Sequence, residues 1–364
     1  MPYSSELKAL QKVDRLRVRK LENTKLIDFA SNDYLGLSEQ KELLRKTVDE
    51  VETYTSHAPK SSQLVNGYHP IHKNFEEYLC RKNGFEEAIV AGSGFLANLA
   101  IIEALPRKKD ILILDEEYHA SGILASKLIS AEVKFFRHND MDDLKDILQT
   151  NSYKRAIVAV EGIYSMSGDL VDKKVFEICD KFETILIVDE AHSVGVVGDS
   201  LLGVFDLYGI EPNKNHIKMG TLGKAIGSYG SYILCSSHIA EFLLNRAKSL
   251  IYATAPSLLD IELARVGFLY IEENIELFKK EIRRRREIVK RHFDYDMSGL
   301  IFPFEVNSSK NALKRQKELD NLGFSVAAIR APTVKKPILR IIPRININSK
   351  SFESLCNFLS RREP

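Results

Sequence analysis

The 364-residue sequence has few cysteines, almost no net charge and no long apolar run. Its four cysteines, Cys80, Cys179, Cys235 and Cys356, are far apart and form no CxxC pair, which argues against a metal site and favours reduced thiols. A net charge of +2 provides no basic field for nucleic acid or a membrane surface. No apolar segment approaches the roughly 18 residues that span a bilayer, and the polar N-terminus is unlike a signal peptide. These absences predict a soluble cytoplasmic protein that binds neither nucleic acid nor membrane.

What the sequence does contain is a regular alternation of apolar runs and helical patterns between residues 86 and 237. Continuous Ile, Val and Leu runs are typical of strands that are buried on both faces. The predicted strands are EEAIVAG (86–92), DILILDE (110–116), EVKFFRH (132–138), RAIVAVEG (155–162), TILIVDE (184–190), HIKMGTLG (216–223) and SYILCSS (231–237). The predicted helices between them are 95–105, 120–129 and 171–182. This alternation predicts an α/β fold with a mostly parallel central sheet.

The alternation of predicted strands and helices ends near residue 258, and this change predicts a domain boundary there. A long charged helix is predicted over IELFKKEIRRRREIVKRHF (275–293), followed by short strands and helices to the C-terminus. The sequence therefore predicts an N-terminal arm (1–40), a large domain (41–257) and a smaller α+β C-terminal domain (258–364).

Polar residues follow the ends of several predicted strands. In an open parallel sheet, ligands bind outside the carboxyl ends of the strands. His119, Ser165, Asp189, His192 and Lys224 all follow such ends, so they are expected to converge on one edge. The small residues of VAGSGF (90–95) leave a strand and open a helix, whose first N–H groups suit an anion.

One cofactor that these groups suit is pyridoxal 5'-phosphate (PLP), which needs an anion site, a buried carboxylate, a histidine and an amine. The amides of residues 93–95 and the hydroxyl of Thr221 could bind its phosphate. Asp189 could keep its pyridine nitrogen protonated, and Lys224 could bind its aldehyde as a Schiff base. The small residues around this lysine in TLGKAIGSYGSY (221–232) would let the cofactor approach the backbone closely.

Alternatives from other classes are an NAD-dependent dehydrogenase, a helicase and a non-catalytic subunit. GSGFLA (92–97) matches the dinucleotide-binding pattern, with Asp115 about twenty residues later. However, about eighty residues precede this pattern, and it leaves Lys224 unexplained. DEAH (189–192) is also a helicase motif, but no GxxxxGK[ST] segment occurs in the sequence. A non-catalytic subunit would not need to retain Lys224.

Seven segments occur in the order found in the α-oxoamine synthases. They are FASNDYLGLS (29–38), SGFLAN (93–98), HASG (119–122), HNDMDDL (138–144), EGIYSMSGD (161–169), VDEAHSVGVVG (188–198) and TLGK (221–224). The sequence resembles this family over nearly its whole length. The resemblance implies a fold type I, PLP-dependent transferase that acts as a homodimer.

The resemblance also implies roles for individual residues. Lys224 is similar to the lysine that binds the cofactor and to the catalytic base, Asp189 to the carboxylate on the pyridine nitrogen, and His119 to the residue stacked on the ring. The resemblance also implies cofactor contacts from Ser165 and His192 at the ring hydroxyl. At the phosphate, it implies contacts from Gly94, Phe95 and Thr221, and from Thr254 of the other subunit. The substrate contacts it implies are Thr333 and Arg340, with Arg330 and Arg17 as further candidates.

The C-terminal motif IRAPTVKKPILR (329–340) bears on the substrates. It is similar to the motif of family members that join L-alanine to a pimeloyl thioester, carried on coenzyme A or an acyl carrier protein. The sequence departs from the family at KSSQLVNG (60–67), where a glycine-rich segment is common, and at DEAHS, where DEAHG is common. Relatives that use glycine and form aminoketobutyrate or aminolevulinate share most of the motifs and remain the alternative.

Overall fold

The computed structural model describes residues 2–13, 15–19 and 21–361. Residues 1, 14 and 20 of the predicted arm, and residues 362–364 of the predicted C-terminal domain, lie outside the described residues. Within the described ranges, no helix combines the length and the apolar character needed to cross a membrane.

The strands include all seven that the sequence predicts. They are β1 Ile27–Asp28, β2 Glu87–Ala91, β3 Ile111–Asp115, β4 Glu132–Phe136, β5 Ala156–Glu161, β6 Ile185–Asp189, β7 His216–Thr221, β8 Ser231–Cys235, β9 Phe302–Glu305, β10 Phe324–Ser325, β11 Ala327–Ile329 and β12 Ile338–Ile341.

The helices lie between and beyond these strands. They are α1 Ser4–Lys12, α2 Lys41–Val51, α3 Pro70–Asn83, α4 Gly94–Ala104, α5 Ala120–Ser126, α6 Met141–Thr150, α7 Lys174–Lys181, α8 Val204–Tyr208, α9 Ser237–Arg246, α10 Lys248–Ile251, α11 Leu258–Glu273, α12 Ile275–Phe293, α13 Ser309–Asn321 and α14 Ser349–Ser360. Helix α12 has the predicted bounds, whereas α5 ends three residues before its predicted end.

The central sheet has the strand order β2-β8-β7-β6-β5-β3-β4. Strand β8 is antiparallel to both of its neighbours, and the other pairings are parallel. Its side chains point alternately to two apolar clusters: in β5, Val158 and Val160 belong to one, and Ile157 and Ala159 to the other. Both faces are therefore covered, as the uninterrupted apolar runs predict, and the polar strand ends remain at one edge.

A second sheet with its own apolar cluster lies in the C-terminal part. It has the order β11-β12-β9 and is antiparallel. Its cluster includes Val289 of α12, Leu339 of β12 and Phe352 of α14, and also Phe29 from the N-terminal segment. Strand β1 pairs with β10, so the segment around residues 27–29 is tied to the C-terminal part.

The packing of α11 bears on the predicted domain division at residue 258. This helix packs against α2 and α3, and its Ile261 and Ala264 belong to a cluster of the central sheet. Helix α12 contacts both that cluster, through Phe278, and the C-terminal one, through Val289. The division into 1–40, 41–257 and 258–364 stays a prediction.

Candidate active site

The polar residues at the strand ends come together, as the sequence predicts, around the amine of Lys224. This lysine follows β7 in a glycine-containing turn, and its Nζ lies 2.7 Å from Nε2 of His192. Burial lowers the pKa of the amine to about 8, although the carboxylates of Asp189 and Glu161 raise it. A much larger fraction of Lys224 is therefore neutral near pH 7 than of a lysine in water.

His192 is held between Lys224 and a residue from the N-terminal segment. Its Nδ1 is 2.5 Å from the hydroxyl of Tyr34, which is fully buried. Burial lowers the pKa of His192 well below its ordinary value, and the charges of Lys224 and Arg340 lower it further. His192 is thus a neutral ring whose two nitrogens both have hydrogen-bond partners.

Asp189, at the end of β6, is fixed by two donors. Its Oδ2 accepts a hydrogen bond from Nδ2 of Asn98 at 2.8 Å, and its Oδ1 accepts one from the backbone N–H of Ala191 at 3.0 Å. The residue is 3% exposed. A buried carboxylate with fixed orientation is suited to pair with a cationic ligand atom.

His119 caps the N-terminus of α5 beside this carboxylate. Its Nδ1 lies 2.7 Å from Oγ of Ser121, which in turn accepts a hydrogen bond from Asn98. Burial lowers the pKa of His119, and Asp189 opposes that shift. The ring is therefore neutral and held in one orientation, as a stacking surface requires.

Arg340, on β12, brings a buried cation into the same region. Its Nε donates to the carbonyl oxygen of Ser165 at 2.7 Å, its Nη1 donates to Oδ1 of Asn32 at 2.9 Å, and its Nη2 approaches the hydroxyl of Tyr34 at 3.5 Å. These partners are all uncharged, and among the described residues no carboxylate forms an ion pair with this guanidinium. A carboxylate ligand would supply the missing charge.

The predicted anion site corresponds to the N-terminus of α4. Ser93 caps the helix through its Oγ, which accepts from the backbone N–H of Leu96 at 3.3 Å. A Cβ added to Gly94 would lie 3.8 Å from Cβ of Thr221, so this helix end and the end of β7 are adjacent. Phe95 is 45% exposed. The first-turn N–H groups and the threonine hydroxyl are therefore close to each other.

The remaining predicted residues are not brought into these contacts. Thr254 is exposed. Thr333 is exposed in the loop before β12, where its N–H donates to the carbonyl of Arg330. Arg17 is exposed in a segment without regular secondary structure. Their assignment to the site stays a prediction.

Asp115 does not have the role that the dinucleotide pattern requires. It is fully buried, and its oxygens accept hydrogen bonds from the hydroxyl of Tyr164 at 2.8 Å and from the backbone N–H of Asn139 at 3.0 Å. His138 contacts the same carboxylate at 2.9 Å. It is thus bound by the protein and not free to bind a ribose.

Four residues in the site were not singled out from the sequence. They are Asn32, Tyr34, Asn98 and Glu161. Asn98 could have been found, because it lies one turn after Gly94 on the same face of α4. Glu161 ends β5 as Asp189 ends β6. Tyr34 reaches His192 across 158 residues, and no local pattern signals this contact.

The residues present fit PLP. A half-buried amine, a fixed carboxylate and a neutral histidine ring lie near one another, and a helix N-terminus lies beside the end of β7. Each of these groups matches one part of the cofactor. The carboxylate of Glu161 also has a buried oxygen, Oε1, that has no hydrogen-bond partner in the part of the chain that the structure describes. This is the donor set that a protonated pyridine, an aldehyde and a phosphate require.

Comparisons with known proteins support PLP as the cofactor. The family model described as aminotransferase class I and II matches residues 24–359. The 8-amino-7-oxononanoate synthase of Helicobacter pylori is 41% identical over 359 residues, covering 98% of this chain and 96% of that one. A solved 8-amino-7-oxononanoate synthase from Francisella tularensis is 28% identical with a TM-score of 0.77, covering 93% of this chain and 98% of that one.

The fold is also shared with a serine palmitoyltransferase. A serine palmitoyltransferase from S. paucimobilis, solved with a PLP–myriocin aldimine, has a TM-score of 0.88 and covers 98% of this chain and 95% of that one. Its sequence identity is 22%, so this likeness bears on the fold alone.

Proposed function

Because the chain belongs to the aminotransferase class I and II family, and within it to the PLP-dependent α-oxoamine synthases, we propose that it joins L-alanine to a pimeloyl thioester. The thioester is carried on coenzyme A or an acyl carrier protein. The products are 8-amino-7-oxononanoate, carbon dioxide and the free thiol, and the reaction belongs to biotin biosynthesis. The names of the relatives at 35–41% identity support this choice of reaction.

One observation carries the proposal: a half-buried amine of lowered pKa lies in the same site as a buried arginine that forms no ion pair with a carboxylate among the described residues. The amine suits an aldehyde cofactor, and the arginine suits the carboxylate of an amino acid. When bound, PLP supplies an aldehyde for an amine and a protonated ring that takes up negative charge from the amino acid Cα.

Lys224 has two roles in this proposal. As the neutral amine it would hold the aldehyde group of PLP, and its Nζ would act as the base toward the proton on the amino acid Cα. A neutral amine is needed for both roles. The lowered pKa of about 8 makes that form available near neutral pH, and the neutral fraction rises as the pH rises through 8.

Asp189 acts through its charge and transfers no proton. Its carboxylate would face the ring nitrogen of PLP and would favour the protonated form of that nitrogen. Asn98 and the N–H of Ala191 hold it in place for this task. His192 and Ser165 would bind PLP on the side of its ring hydroxyl, and His119 would stack on the ring.

The other contacts fix the two ends of the bound molecules. The N–H groups of Gly94 and Phe95 and the hydroxyl of Thr221 bind the phosphate, with Thr254 contributed by the second subunit of a homodimer. Arg340 binds the carboxylate of the amino acid. Thr333 is assigned to a substrate contact, with Arg330 and Arg17 as further candidates.

A thioester-dependent assay of carbon dioxide release tests the proposal. The purified enzyme would be offered alanine, glycine or serine, each with pimeloyl, acetyl or succinyl thioesters. Alanine with the pimeloyl donor should give the highest kcat/KM. A preference for glycine with a short acyl donor would instead assign the enzyme to the aminoketobutyrate or aminolevulinate branch of the family.

A further inference from the structure

Tyr34, in the segment that follows β1, places a hydroxyl between two groups of the candidate active site. The residue is fully buried, and its hydroxyl oxygen lies 2.5 Å from Nδ1 of His192. Nη2 of Arg340 approaches the same oxygen at 3.5 Å. Among the described residues, these are the two partners of the hydroxyl. On the other side of its ring, His192 contacts Nζ of Lys224 through Nε2 at 2.7 Å. The contacts therefore form one chain that runs from the guanidinium to the amine.

The hydrogen-bonding capacity of these groups fixes where the hydroxyl proton lies. A guanidinium has donors only, so the oxygen of Tyr34 is the acceptor in its contact with Arg340. Burial raises the pKa of Tyr34 to about 12, so the hydroxyl keeps its proton at neutral pH. A buried proton of this kind needs an acceptor, and within the described ranges Nδ1 of His192 is the one in reach. Nδ1 therefore accepts from Tyr34 and carries no proton.

The single proton of the neutral His192 ring is then on Nε2. Burial lowers the pKa of His192 well below its ordinary value, so the ring does not carry a second proton. Nε2 faces Nζ of Lys224. An N–H group in that place can donate to the lone pair of a neutral amine, but an ammonium group has donors only and cannot accept it. This tautomer of His192 therefore favours the neutral form of Lys224.

The other tautomer of His192 would have the opposite effect on the lysine. With the proton on Nδ1, the ring would donate to Tyr34, and the buried hydroxyl proton would have no acceptor among the residues that the structure describes. Nε2 would then be a free acceptor, which suits an ammonium group. The hydroxyl of Tyr34 thus decides between two rings of the same shape that have opposite effects on Lys224.

We infer that Tyr34 is a positioning residue that fixes the Nε2–H tautomer of His192 and thereby keeps the amine of Lys224 neutral. This deepens the proposed function, since it rests on Lys224 as the amine that binds the aldehyde of PLP. The same Nε2–H group would be the donor that the proposed contact of His192 with the ring hydroxyl side requires. A phenylalanine could fill the same space, but it could not select the tautomer.

Other charged and titratable groups also face these residues, and they stay in place in the test. Those that affect Lys224, besides His192, are Asp189, Glu161, Arg340 and His119. Those that affect His192 or Tyr34 are Lys224 itself and members of the same set. A change confined to the hydroxyl of Tyr34 removes none of them.

The first test measures the protonation of Lys224 in the full-length chain freed of cofactor. The protein is labelled with a trace of acetic anhydride at a series of pH values, and mass spectrometry follows the peptide that contains Lys224. Tyr34→Phe lets Nε2 of His192 become an acceptor, so the labelling midpoint should rise by about one pH unit. Tyr208→Phe is the matched control, because it removes a hydroxyl that donates to the carbonyl of Val171 outside the site. It should leave the midpoint unchanged.

A double variant tests whether Tyr34 acts through the histidine. In a His192→Ala background, Tyr34→Phe should cause no further change in the labelling midpoint of Lys224, because the ring that transmits the effect is absent. An equal rise with and without His192 would overturn the inference. So would an unchanged midpoint in folded Tyr34→Phe, with folding checked by circular dichroism and thermal melting.

The second test observes the tautomer directly and does not depend on Tyr34→Phe being folded. Nitrogen-15 NMR of the histidine-labelled, cofactor-free protein distinguishes a protonated ring nitrogen from an unprotonated one, and His192→Ala identifies the signals of His192. We expect the proton on Nε2, and a proton on Nδ1 would overturn the inference. Both tests need neither PLP nor substrate, so their results are independent of the carbon dioxide assay. In the complete reaction, the acid limb of the pH profile of kcat should move to higher pH in Tyr34→Phe.

Discussion

At the scale of single residues, the site depends on charges that are buried without full compensation. Asp189 is held by an amide and an N–H group, and Arg340 by a carbonyl, an amide oxygen and a hydroxyl. Each of these partners orients the charged group but does not neutralise it. Burying a charge without neutralising it lowers the stability of the folded protein. A ligand of opposite charge offsets this cost when it binds.

Removing the charge of Asp189 should lower kcat and leave the stability of the fold nearly unchanged. Asp189→Asn keeps an oxygen to accept from Asn98, but it cannot keep a proton on the ring nitrogen. We expect kcat to fall about 100-fold or more, which corresponds to about 3 kcal/mol of transition-state stabilisation. Turnover is measured together with the PLP content, released in alkali and read by absorbance. Near-normal kcat with normal PLP content would remove Asp189 from this role.

For Arg340, the shape of the side chain matters as well as its charge. A planar guanidinium can bind a carboxylate through two parallel hydrogen bonds, which lysine cannot do. Arg340→Lys should therefore raise the KM for alanine about tenfold or more, equivalent to about 1.5 kcal/mol. The KM for the thioester, measured on the same preparation, should change much less. Equal changes in both values would show that Arg340 does not distinguish the two substrates.

At the scale of elements, the conformation of the turn that carries Lys224 depends more on Gly227 than on Gly223. Gly227 has φ +70°, and a Cβ there would lie 2.6 Å from the backbone nitrogen of Ser38. Gly223, in the same turn, has ordinary φ, and a Cβ there would meet its nearest atom, the carbonyl oxygen of Ser228, at 3.5 Å. The close approach of two backbones, and not flexibility, therefore explains the glycine at position 227.

These two positions give a matched pair of variants. Gly227→Ala combines a strained φ with a clash against backbone, so it should lower the free energy of unfolding by more than about 1 kcal/mol and reduce PLP uptake. Gly223→Ala should be close to neutral in both respects. Thermal unfolding and PLP binding measure the two effects. Equal stability of the two variants would mean that the turn can shift away from residues 37 and 38.

The strands and helices of the central sheet could be predicted from the sequence because their signals are local. Each uninterrupted apolar run became a strand, and the polar residues after these runs came to one edge. Helix α5 was shorter than predicted, since its apolar pattern continues into a turn at residues 127 and 128. The antiparallel direction of β8 was not predicted, because strand direction is set by connections and not by composition.

The candidate site could be predicted only in part, for the same reason. Residues that follow strand ends, such as Asp189 and Lys224, were identified from local sequence. Tyr34 and Asn32 were not, because they reach His192 and Arg340 from the other end of the chain. Glu161 was not identified either, because the sequence does not reveal that one of its carboxyl oxygens has no hydrogen-bond partner among the residues that the structure describes.

At the scale of the whole molecule, the PLP family and the fold type I architecture predicted from the motifs are confirmed by the family model and the relatives. The homodimer and the shared site remain predictions. Two features of the chain support them. Thr254 is exposed, although the motif assigns it to the phosphate. The neighbouring Tyr252 is 81% exposed, and such an aromatic side chain is more usual at an interface than in water.

A mixing experiment tests whether the site is shared between two subunits. Lys224→Ala chains lack the amine, and Thr254→Ala chains lack the hydroxyl that a second subunit is expected to contribute. In a hybrid dimer, the site with an intact Lys224 receives an intact Thr254 from the other chain, whereas the second site lacks both. Random pairing makes half of the dimers hybrid, so activity should rise above that of either variant to about a quarter of the wild-type level. Mixing each variant with itself controls for the exchange procedure, and native mass spectrometry measures the hybrid fraction. If hybrids form and activity does not rise, each subunit contains a complete site, and Thr254 acts within its own chain or not at all.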